Sequence, residues 1–187
     1  MLLFLIPEYH LINTMRKVIL GLAVSLDGFI EGPNGEYDWC FTDQDYGLND
    51  FFKQIDTLFV GRKTYEMALA DEGEKNWLPK LTEYVFSTTL PEFKSERKLI
   101  SGNVEAQVRK IKNQPGKDIW LFGGAELTNT LMNLGLVDEV WLSIHPILLG
   151  SGKPLFGHLK ERKWLTLIDS KIYGSGLVSL KYKLTWD

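Results

Sequence analysis

The chain has 187 residues, of which 44% are hydrophobic and 24% are charged, and its formal net charge is −3. This length and composition are typical of one globular domain with a proper core, and they exclude a disordered or fibrous chain. The negative net charge argues against a nucleic-acid-binding surface, because such a surface needs clustered Lys and Arg to neutralise phosphates.

The first residues are apolar. Met1 to Pro7 form a run that is far too short to span a bilayer, and it lacks the positive flank and the cleavage site of a signal peptide. We therefore expect residues 1–14 to be an N-terminal appendage, with Met15 as the natural start. Residues 15–187 are then expected to form a single domain.

Lys17 to Val24 is a nearly continuous apolar run, which predicts a strand buried on both faces at the centre of a sheet. The run is followed by Asp27 and Gly28. These residues are either a plain turn or, because open α/β sheets bind ligands at the carboxyl ends of their strands, the edge of a ligand crevice. Residues 29–43 are rich in Gly, Pro and aromatic residues and predict a long loop over this strand, with Trp39 as its anchor.

A second strand leads into a glycine and two cations. Leu48, Phe51, Phe52 and Ile55 recur at helical spacing and predict an amphipathic helix of about three turns before that strand. Residues 57–60 predict the buried strand, which ends at Gly61-Arg62-Lys63-Thr64. The guanidinium of Arg62 suits a phosphate, and Thr64 can cap a helix or bond a phosphate oxygen. Alternatively, the two cations are merely solvated.

A third strand, over residues 84–89, ends in the hydroxyls of Ser87 and Thr88. They either donate to a phosphate or simply terminate the strand. Residues 70–82 predict an exposed acidic loop before this strand. Val104, Val108 and Ile111 indicate a further helix after it.

The stretch from Asp118 to Met132 indicates a strand that runs directly into a helix. Its apolar residues stop at Gly123 and Gly124, and Leu127, Leu131 and Leu134 then mark one buried helical face. Glycines let the backbone approach a ligand closely, and the free N–H groups at a helix start favour an anion such as phosphate. The alternative is a tight turn with no ligand.

The last part of the chain predicts a strand over residues 136–146, a shaped loop containing Gly150 and Gly152, and a hairpin made of residues 164–173 and 178–186. We expect that antiparallel hairpin at the sheet edge. His145 is interpreted as structural, because no recognisable nucleophile motif accompanies it.

Metal-ligating residues are few and scattered. Cys40 is the single cysteine, so an internal disulfide and a multi-cysteine metal site are excluded. The three histidines, His10, His145 and His158, show no metal-ligand spacing. We expect no metal and a reducing, cytoplasmic compartment.

Strands alternating with helices predict an α/β fold, a three-layer α/β/α sandwich with a mostly parallel sheet and an antiparallel C-terminal hairpin. Three strand ends carry groups suited to phosphate, and such a set could bind a dinucleotide along one sheet edge. The glycine pattern is not the six-residue fingerprint of the common dinucleotide fold.

Five motifs occur in the same order in the dihydrofolate-reductase-like superfamily, which this sequence resembles from about Met15 to Trp186. They are Ser25-Leu26-Asp27-Gly28, Gly61-Arg62-Lys63-Thr64-Tyr65, Phe122-Gly123-Gly124-Ala125-Glu126-Leu127, Leu136-Val137-Asp138-Glu139 and Pro146-Ile147-Leu148-Leu149-Gly150-Ser151-Gly152. The sequence is most similar to the branch that contains the reductase domain of the bacterial riboflavin-biosynthesis deaminase/reductase and its stand-alone relatives. That resemblance implies about eight strands and NADPH as hydride donor.

The resemblance also implies site residues. Gly61, Arg62 and Thr64 would hold the adenosine-side phosphates, Ser87 and Thr88 would lie near the 2′-phosphate, Gly123, Gly124 and Ala125 would hold the pyrophosphate, and Leu127 would line the groove. Ala23 through Asp27 would face the nicotinamide and the substrate. Ser143 matches the position at which folate reductases keep a hydroxyl beside the substrate. Asp27 and Ser143 are thus the catalytic candidates.

The sequence departs from the family pattern in two places. Folate reductases hold the pteridine with a carboxylate early in the first helix, but Asp43, Asp45 and Asp50 all fall near that position and no surrounding motif selects one. The zinc ligands of the deaminase half cannot come from Cys40 alone. A role in riboflavin synthesis would therefore require a separate deaminase.

The expected function is NADPH-dependent reduction of a C=N or C=O bond in a small heterocyclic or carbonyl substrate. The alternative is a non-catalytic nucleotide-binding or scaffolding relative with the same fold. A phosphate-ester enzyme is disfavoured, because no metal-binding carboxylate cluster accompanies the glycines. We also expect a homodimer, since residues 178–186 suggest an exposed apolar sheet edge and relatives of this branch are often dimers.

Overall fold

The computed structural model describes residues 15–70, 78–91 and 96–185. The appendage predicted at residues 1–14, most of the acidic loop predicted at 70–82, and Trp186 lie outside the described residues. The strands are β1 (Val18–Ser25), β2 (Phe29–Glu31), β3 (Ile55–Gly61), β4 (Thr82–Phe86), β5 (Lys98–Ile100), β6 (Asp118–Gly123), β7 (Glu139–His145), β8 (Lys153–Pro154), β9 (Leu165–Ile172) and β10 (Val178–Leu184). The helices are α1 (Leu48–Gln54), α2 (Arg62–Ala70), α3 (Val104–Lys112) and α4 (Ala125–Asn133).

Eight strands form the main sheet, in the order β5-β4-β3-β6-β1-β7-β10-β9. The six strands from β5 to β7 in that order are parallel, and β10 is antiparallel to both β7 and β9. Strands β2 and β8 form a separate two-stranded sheet. The predicted α/β class, the mostly parallel sheet of about eight strands and the antiparallel C-terminal hairpin are confirmed.

Apolar side chains cover both faces of the sheet. Phe51 of α1 packs with Ile19 and Trp120 on one face. On the other face, Val108 of α3 and Leu131 of α4 belong to a larger core that also contains other residues of β1 and β6. Strand β1 lies between β6 and β7, as its continuous apolar run predicted. The result is three layers with β1 near the centre.

The sheet order makes the carboxyl ends of β3, β6 and β1 the expected place for a ligand crevice. The chain leaves β1 and β3 through α1 and α2 toward one edge of the sheet, and it leaves β5 and β6 through α3 and α4 toward the other edge. Because parallel crossovers are right-handed, opposite directions of travel put the connections on opposite faces. Ligands of open α/β sheets bind where connections diverge in this way.

Some element limits differ from the sequence prediction. Ile55, assigned to a helix by its spacing, is the first residue of β3 and is buried there. The strand predicted over residues 84–89 ends at Phe86, so Ser87 belongs to the following turn. The predicted loop after β1 contains the short strand β2. Ile55 and β2 pair with other strands, and that pairing is invisible in local spacing. Strand β4 ends where the Ser87 hydroxyl closes a turn.

The strand at the edge of the sheet also differs from the one that the sequence predicted. Residues 178–186 were expected at the exposed edge, but β10 lies between β7 and β9, so that expectation was wrong. Strand β9 is the edge, and all eight of its residues are exposed. Both strands of the hairpin, β9 and β10, contain apolar residues, so the sequence alone does not tell which of them lies at the edge.

No helix within the described ranges is long and apolar enough to cross a membrane.

Candidate functional site

Two strand-to-helix joints meet at the crevice and form what we call the glycine cradle, consisting of Gly61, Thr64, Gly123 and Gly124. A Cβ atom placed on Gly61 would lie 3.5 Å from the Gly123 carbonyl oxygen and 3.7 Å from the Gly124 nitrogen. The Gly124 N–H donates to Thr64 Oγ1 over 3.0 Å. Thr64 therefore fastens the start of α4 to the start of α2, a contact that its position in the sequence does not reveal.

The backbone of the cradle uses conformations suited to glycine. Gly123 has φ +102°, in the left-handed region that side chains disfavour, and its peptide bond to Gly124 is cis. A Cβ atom on Gly124 would lie 3.3 Å from Thr64 Oγ1 and 3.9 Å from Ile30 Cδ1. Ile30 of β2 thus reaches the cradle, although no motif pointed to this residue. Larger residues would fill this space.

The start of α4 carries a buried hydroxyl, that of Thr128. Thr128 is fully buried, and its Oγ1 has no hydrogen bond within the described part of the chain. That atom would lie 3.4 Å from a Cβ atom on Gly123, which places it directly behind the cradle. Thr130 on the same helix instead donates to the Glu126 carbonyl over 2.8 Å. Gly124, the N-cap, supplies no side-chain cap, and Ala125 and Leu127 are buried beside it.

These features fit a phosphate group. The cradle has room that a Cβ would occupy, a helix start with its N–H groups, and an unpaired hydroxyl behind it. Of the predicted cofactor-binding residues, the structure brings together Gly61, Thr64, Gly123, Gly124, Ala125 and Leu127. Arg62 begins α2 immediately after Gly61.

The two cations beside the cradle are paired with carboxylates. Arg62 Nη1 donates to both oxygens of Glu66 over 3.2 and 3.1 Å. Lys63 Nζ lies 3.7 Å from a carboxylate oxygen of Glu126, which belongs to the first turn of α4. Both pairs are at the surface, so they are weak and open to exchange with another anion.

Ser87 and Thr88 follow β4, the strand next to β3. The Ser87 hydroxyl accepts from the backbone N–H groups of Thr89 and Leu90 over 3.1 and 3.0 Å. It therefore closes a turn, which is the plainer of the two alternatives that the sequence left open. Thr88 is exposed. A contact of either residue with a phosphate stays a prediction.

Asp27 connects the end of β1 to the loop between β7 and β8. Its Oδ1 accepts from the Ser25 hydroxyl over 2.6 Å, and its Oδ2 accepts from the Gly150 N–H over 2.8 Å. The Leu149 N–H donates to Oδ1 over 3.2 Å. The Ser25 hydroxyl, followed by these backbone donors, holds the pKa of Asp27 below its usual range. Both oxygens of this ionised carboxylate thus serve the fold.

Ala23 and Ser143 lie side by side. They are register partners of β1 and β7, and both are half-buried. Trp141, two residues earlier on the same face of β7, packs against Phe51 of α1 with ring centroids 4.7 Å apart. Ser143 therefore faces the layer that contains α1. The described contacts do not join Asp27 to Ser143, so a shared catalytic role for the two stays a prediction.

His145 holds the loop that follows β2. Its Nδ1 donates to the Ser143 carbonyl and its Nε2 accepts from the Phe41 N–H, each over 3.0 Å. The rings of Trp39 and Phe41 lie edge-on to it, at 5.3 and 5.0 Å. Burial lowers the pKa of His145, although its bond to Ser143 opposes this effect. The neutral imidazole is a structural anchor, and Trp39 packs on it.

The three acidic residues near α1 all have local partners. Asp45 accepts from the N–H groups of Asn49 and Gly47 over 2.8 and 3.1 Å, at the start of the helix. Asp43 accepts from the Tyr46 hydroxyl over 2.8 Å. Asp50 pairs with Lys53 over 2.7 Å and is exposed. These contacts do not select one of them as a substrate ligand. The described residues also contain no group of three His, Cys, Asp or Glu arranged to hold a metal ion.

Comparisons with known proteins agree with this fold. The family model described as RibD C-terminal domain matches residues 16–179. The uncharacterized protein YyaP of Bacillus subtilis (strain 168) is 48% identical over 177 residues, which cover 89% of this chain and 94% of YyaP.

Two solved structures are also similar. A "Putative riboflavin biosynthesis protein" from Shewanella sp. PV-4 has a TM-score of 0.80 and 26% identity, with 91% of this chain and 99% of that chain covered. Dihydrofolate reductase from Enterococcus faecalis, in complex with NADP(H) and RAB-propyl, has a TM-score of 0.60 and 14% identity. The match covers 90% of this chain and 96% of that chain. At this low identity the second likeness concerns the fold alone.

Proposed function

The chain belongs to the RibD C-terminal domain family, and from that membership we propose that it is an NADPH-dependent reductase. The proposed reaction transfers a hydride to the carbon of a C=N or C=O bond in a small heterocyclic or carbonyl substrate, such as an aminopyrimidine or a pterin. The observation that carries the proposal is the glycine cradle, because a helix start with an unpaired buried hydroxyl behind it suits a dinucleotide phosphate.

In this proposal the cofactor lies along the carboxyl edge of β4, β3 and β6. Gly123, Gly124 and Ala125 hold its pyrophosphate, Gly61, Arg62 and Thr64 hold the adenosine-side phosphates, and Leu127 lines the groove. Ser87 and Thr88 lie near the 2′-phosphate. NADPH, when bound, supplies the hydride. The protein contributes orientation, since a reaction between two held partners avoids most of the entropic cost of their encounter.

The substrate is proposed to lie over Ala23 and Ser143. Both residues are half-buried and adjacent, and the loop fixed by His145 lies next to them in the fold. The Ser143 hydroxyl would donate to or accept from a polar atom of the substrate. Asp27, at the end of β1, would act on a proton only through a donor that it already holds, such as the Ser25 hydroxyl.

The decisive experiment is a titration of the purified protein with NADPH and with NADH, repeated on Arg62→Ala. We expect NADPH to bind more tightly than NADH, and the variant to lose the ~1.5–3 kcal/mol of a hydrogen bond to a charged group. Arg109→Ala is the matched control, because Arg109 forms an ion pair with Glu105 on α3 at the same helical spacing. Absence of binding to either nucleotide would contradict the proposal and leave only the shared fold.

A second candidate is a non-catalytic nucleotide-binding or scaffolding relative. The observation that favours it is that the carboxylates near the substrate region, Asp27, Asp43, Asp45 and Asp50, all have partners within the fold. Oxidation of NADPH with a panel of pterins, pyrimidines and small carbonyl compounds separates the two. Turnover with any acceptor supports the reductase, and tight binding without turnover across the panel supports the scaffold.

We further propose a homodimer in a cytoplasmic setting. The exposed strand β9 supports self-association, since an unpaired apolar edge strand readily pairs with another chain. Cys40 is the single cysteine, and burial raises its pKa to about 11, which disfavours the reactive thiolate. This is compatible with a reducing compartment.

A further inference from the structure

The charges at the entrance of the glycine cradle balance one another. Arg62 and Lys63 follow Gly61 at the start of α2, and each has a carboxylate partner, Glu66 and Glu126 respectively. The formal charges of these two cations and two carboxylates sum to zero. An anionic ligand therefore meets two cations whose charge is already compensated. One arm of the Arg62 guanidinium, Nη1, donates to both oxygens of Glu66.

The Arg62–Glu66 pair is oriented unfavourably for its own helix. Arg62 is the first residue of α2 and Glu66 lies one turn later, so the cation is near the positive end of the helix dipole. Glutamate before a cation is the better order at this spacing. The pair Glu105–Arg109 on α3 has that better order, with the acid in the first turn and the cation in the last. The α2 pair therefore contributes less to the stability of its own helix than the α3 pair does.

We propose that Glu66 is a positioning residue that limits nucleotide affinity by holding Arg62. A phosphate that takes both arms of the guanidinium fork must first displace the Glu66 carboxylate from Nη1. The Arg62 and Glu66 side chains are 39% and 45% exposed. Because an exposed ion pair is weak, a phosphate can replace Glu66 easily, and the effect of Glu66 on nucleotide affinity is moderate. The inference rests on the proposed function, since it concerns the same phosphate site.

The test is the dissociation constant for NADPH of Glu66→Gln, which keeps the size of the side chain and removes its charge. We expect binding about two- to fivefold tighter than wild type at low salt, with a smaller gain at high salt. Glu105→Gln is the matched control, because it breaks the corresponding pair on α3 and should leave affinity unchanged. In an Arg62→Ala background, Glu66→Gln should give no gain, since Glu66 acts through Arg62. Equal thermal unfolding midpoints of the wild type and Glu66→Gln would show that the gain in affinity does not come from a change in stability.

Two results would overturn the inference while leaving the reductase proposal intact. The first is that the wild-type protein binds NADPH, but Glu66→Gln binds it no more tightly than the wild type does. The other is a gain that persists undiminished without Arg62, since the carboxylate would then act by direct repulsion. If the wild-type protein binds no NADPH, the proposed function fails first and this inference fails with it.

Discussion

His145 joins two segments that are far apart in the chain, and it can do so only as the neutral imidazole. Its Nε2 accepts from the Phe41 N–H, and a proton on that nitrogen would place two donors face to face. Burial keeps the pKa of His145 below the ordinary value of 6.5. The fold thus favours the unprotonated ring, and the loop around Trp39 and Phe41 depends on it.

This arrangement gives a pH dependence of known sign. A histidine whose pKa is lowered in the folded state contributes stability that is present above about pH 6.5 and is lost as pH falls through the lowered value. We expect the free energy of unfolding, measured by denaturant titration, to decrease from pH 7 toward pH 5. The variant His145→Gln should show a smaller decrease over the same range. An unchanged slope in that variant would contradict the anchoring role.

Single residues also show where sequence reasoning reaches its limit. Arg62 and Glu66 are four residues apart, so their pairing could have been read from the sequence. Asp27 also accepts from Gly150, and His145 also accepts from Phe41. These two partners lie more than a hundred residues away in the sequence, so a local pattern does not reveal them. Thr128 occupies a buried position on α4, and the sequence does not reveal that its hydroxyl has no hydrogen bond among the described residues.

At the level of elements, Thr64 links the first turn of α2 to the N-cap of α4. The Gly124 N–H would otherwise be one of the unpaired donors of a helix start. We expect Thr64→Val to lower the free energy of unfolding by about 1 kcal/mol, because it keeps the shape and removes the acceptor. Thr64→Ser retains a hydroxyl and should stay close to wild type. Chemical denaturation of both variants checks this, and equal losses for Val and Ser would rule out the hydrogen bond as the cause.

Element type was predictable wherever apolar residues repeat over several turns. Val104, Val108 and Ile111 gave α3, and the run before Gly123 gave β6 followed by α4. Boundaries were less predictable, because Ile55 satisfies the helical spacing while its backbone pairs with β6. Parallel pairing made it predictable that the ends of β3 and β6 lie close together. The hydrogen bond from the Gly124 N–H to Thr64 Oγ1 was not predictable.

At the scale of the whole molecule, β9 is the feature that bears on assembly. It pairs with β10 on one side, and its other side is an edge whose residues include Leu167, 51% exposed, and Ile172, 80% exposed. We expect the wild-type mass in light scattering to be that of a dimer, and Ile172→Lys to shift it toward the monomer because a charge on an edge strand opposes pairing.

Leu148→Lys is the matched control for this prediction. Leu148 is 70% exposed but lies in the loop between β7 and β8, outside the hairpin. The Leu148→Lys variant should therefore leave the dimer intact. A monomeric wild-type protein, or equal effects of the two variants, would show that β9 is not the contact.

The layered architecture was predictable because strands and helices alternate along the chain, which permits few arrangements of a parallel sheet. The order of the strands was not, since the same alternation is compatible with several orders. The choice between β9 and β10 as edge shows this directly. It depends on which strand pairs with β7, and that is settled by packing across the sheet rather than by either strand's own pattern.

The position of β1 has a consequence for how the polypeptide reaches its native state. Val18 pairs with Ile119 and Ile19 pairs with Glu139, so the earliest strand of the sheet gains its neighbours only from much later segments. On a ribosome, this apolar strand would wait without partners while most of the protein is synthesised. Pairings so distant in sequence slow folding, and exposed apolar strands aggregate in the meantime. Expression at reduced temperature, or with additional chaperones, should therefore raise the soluble yield.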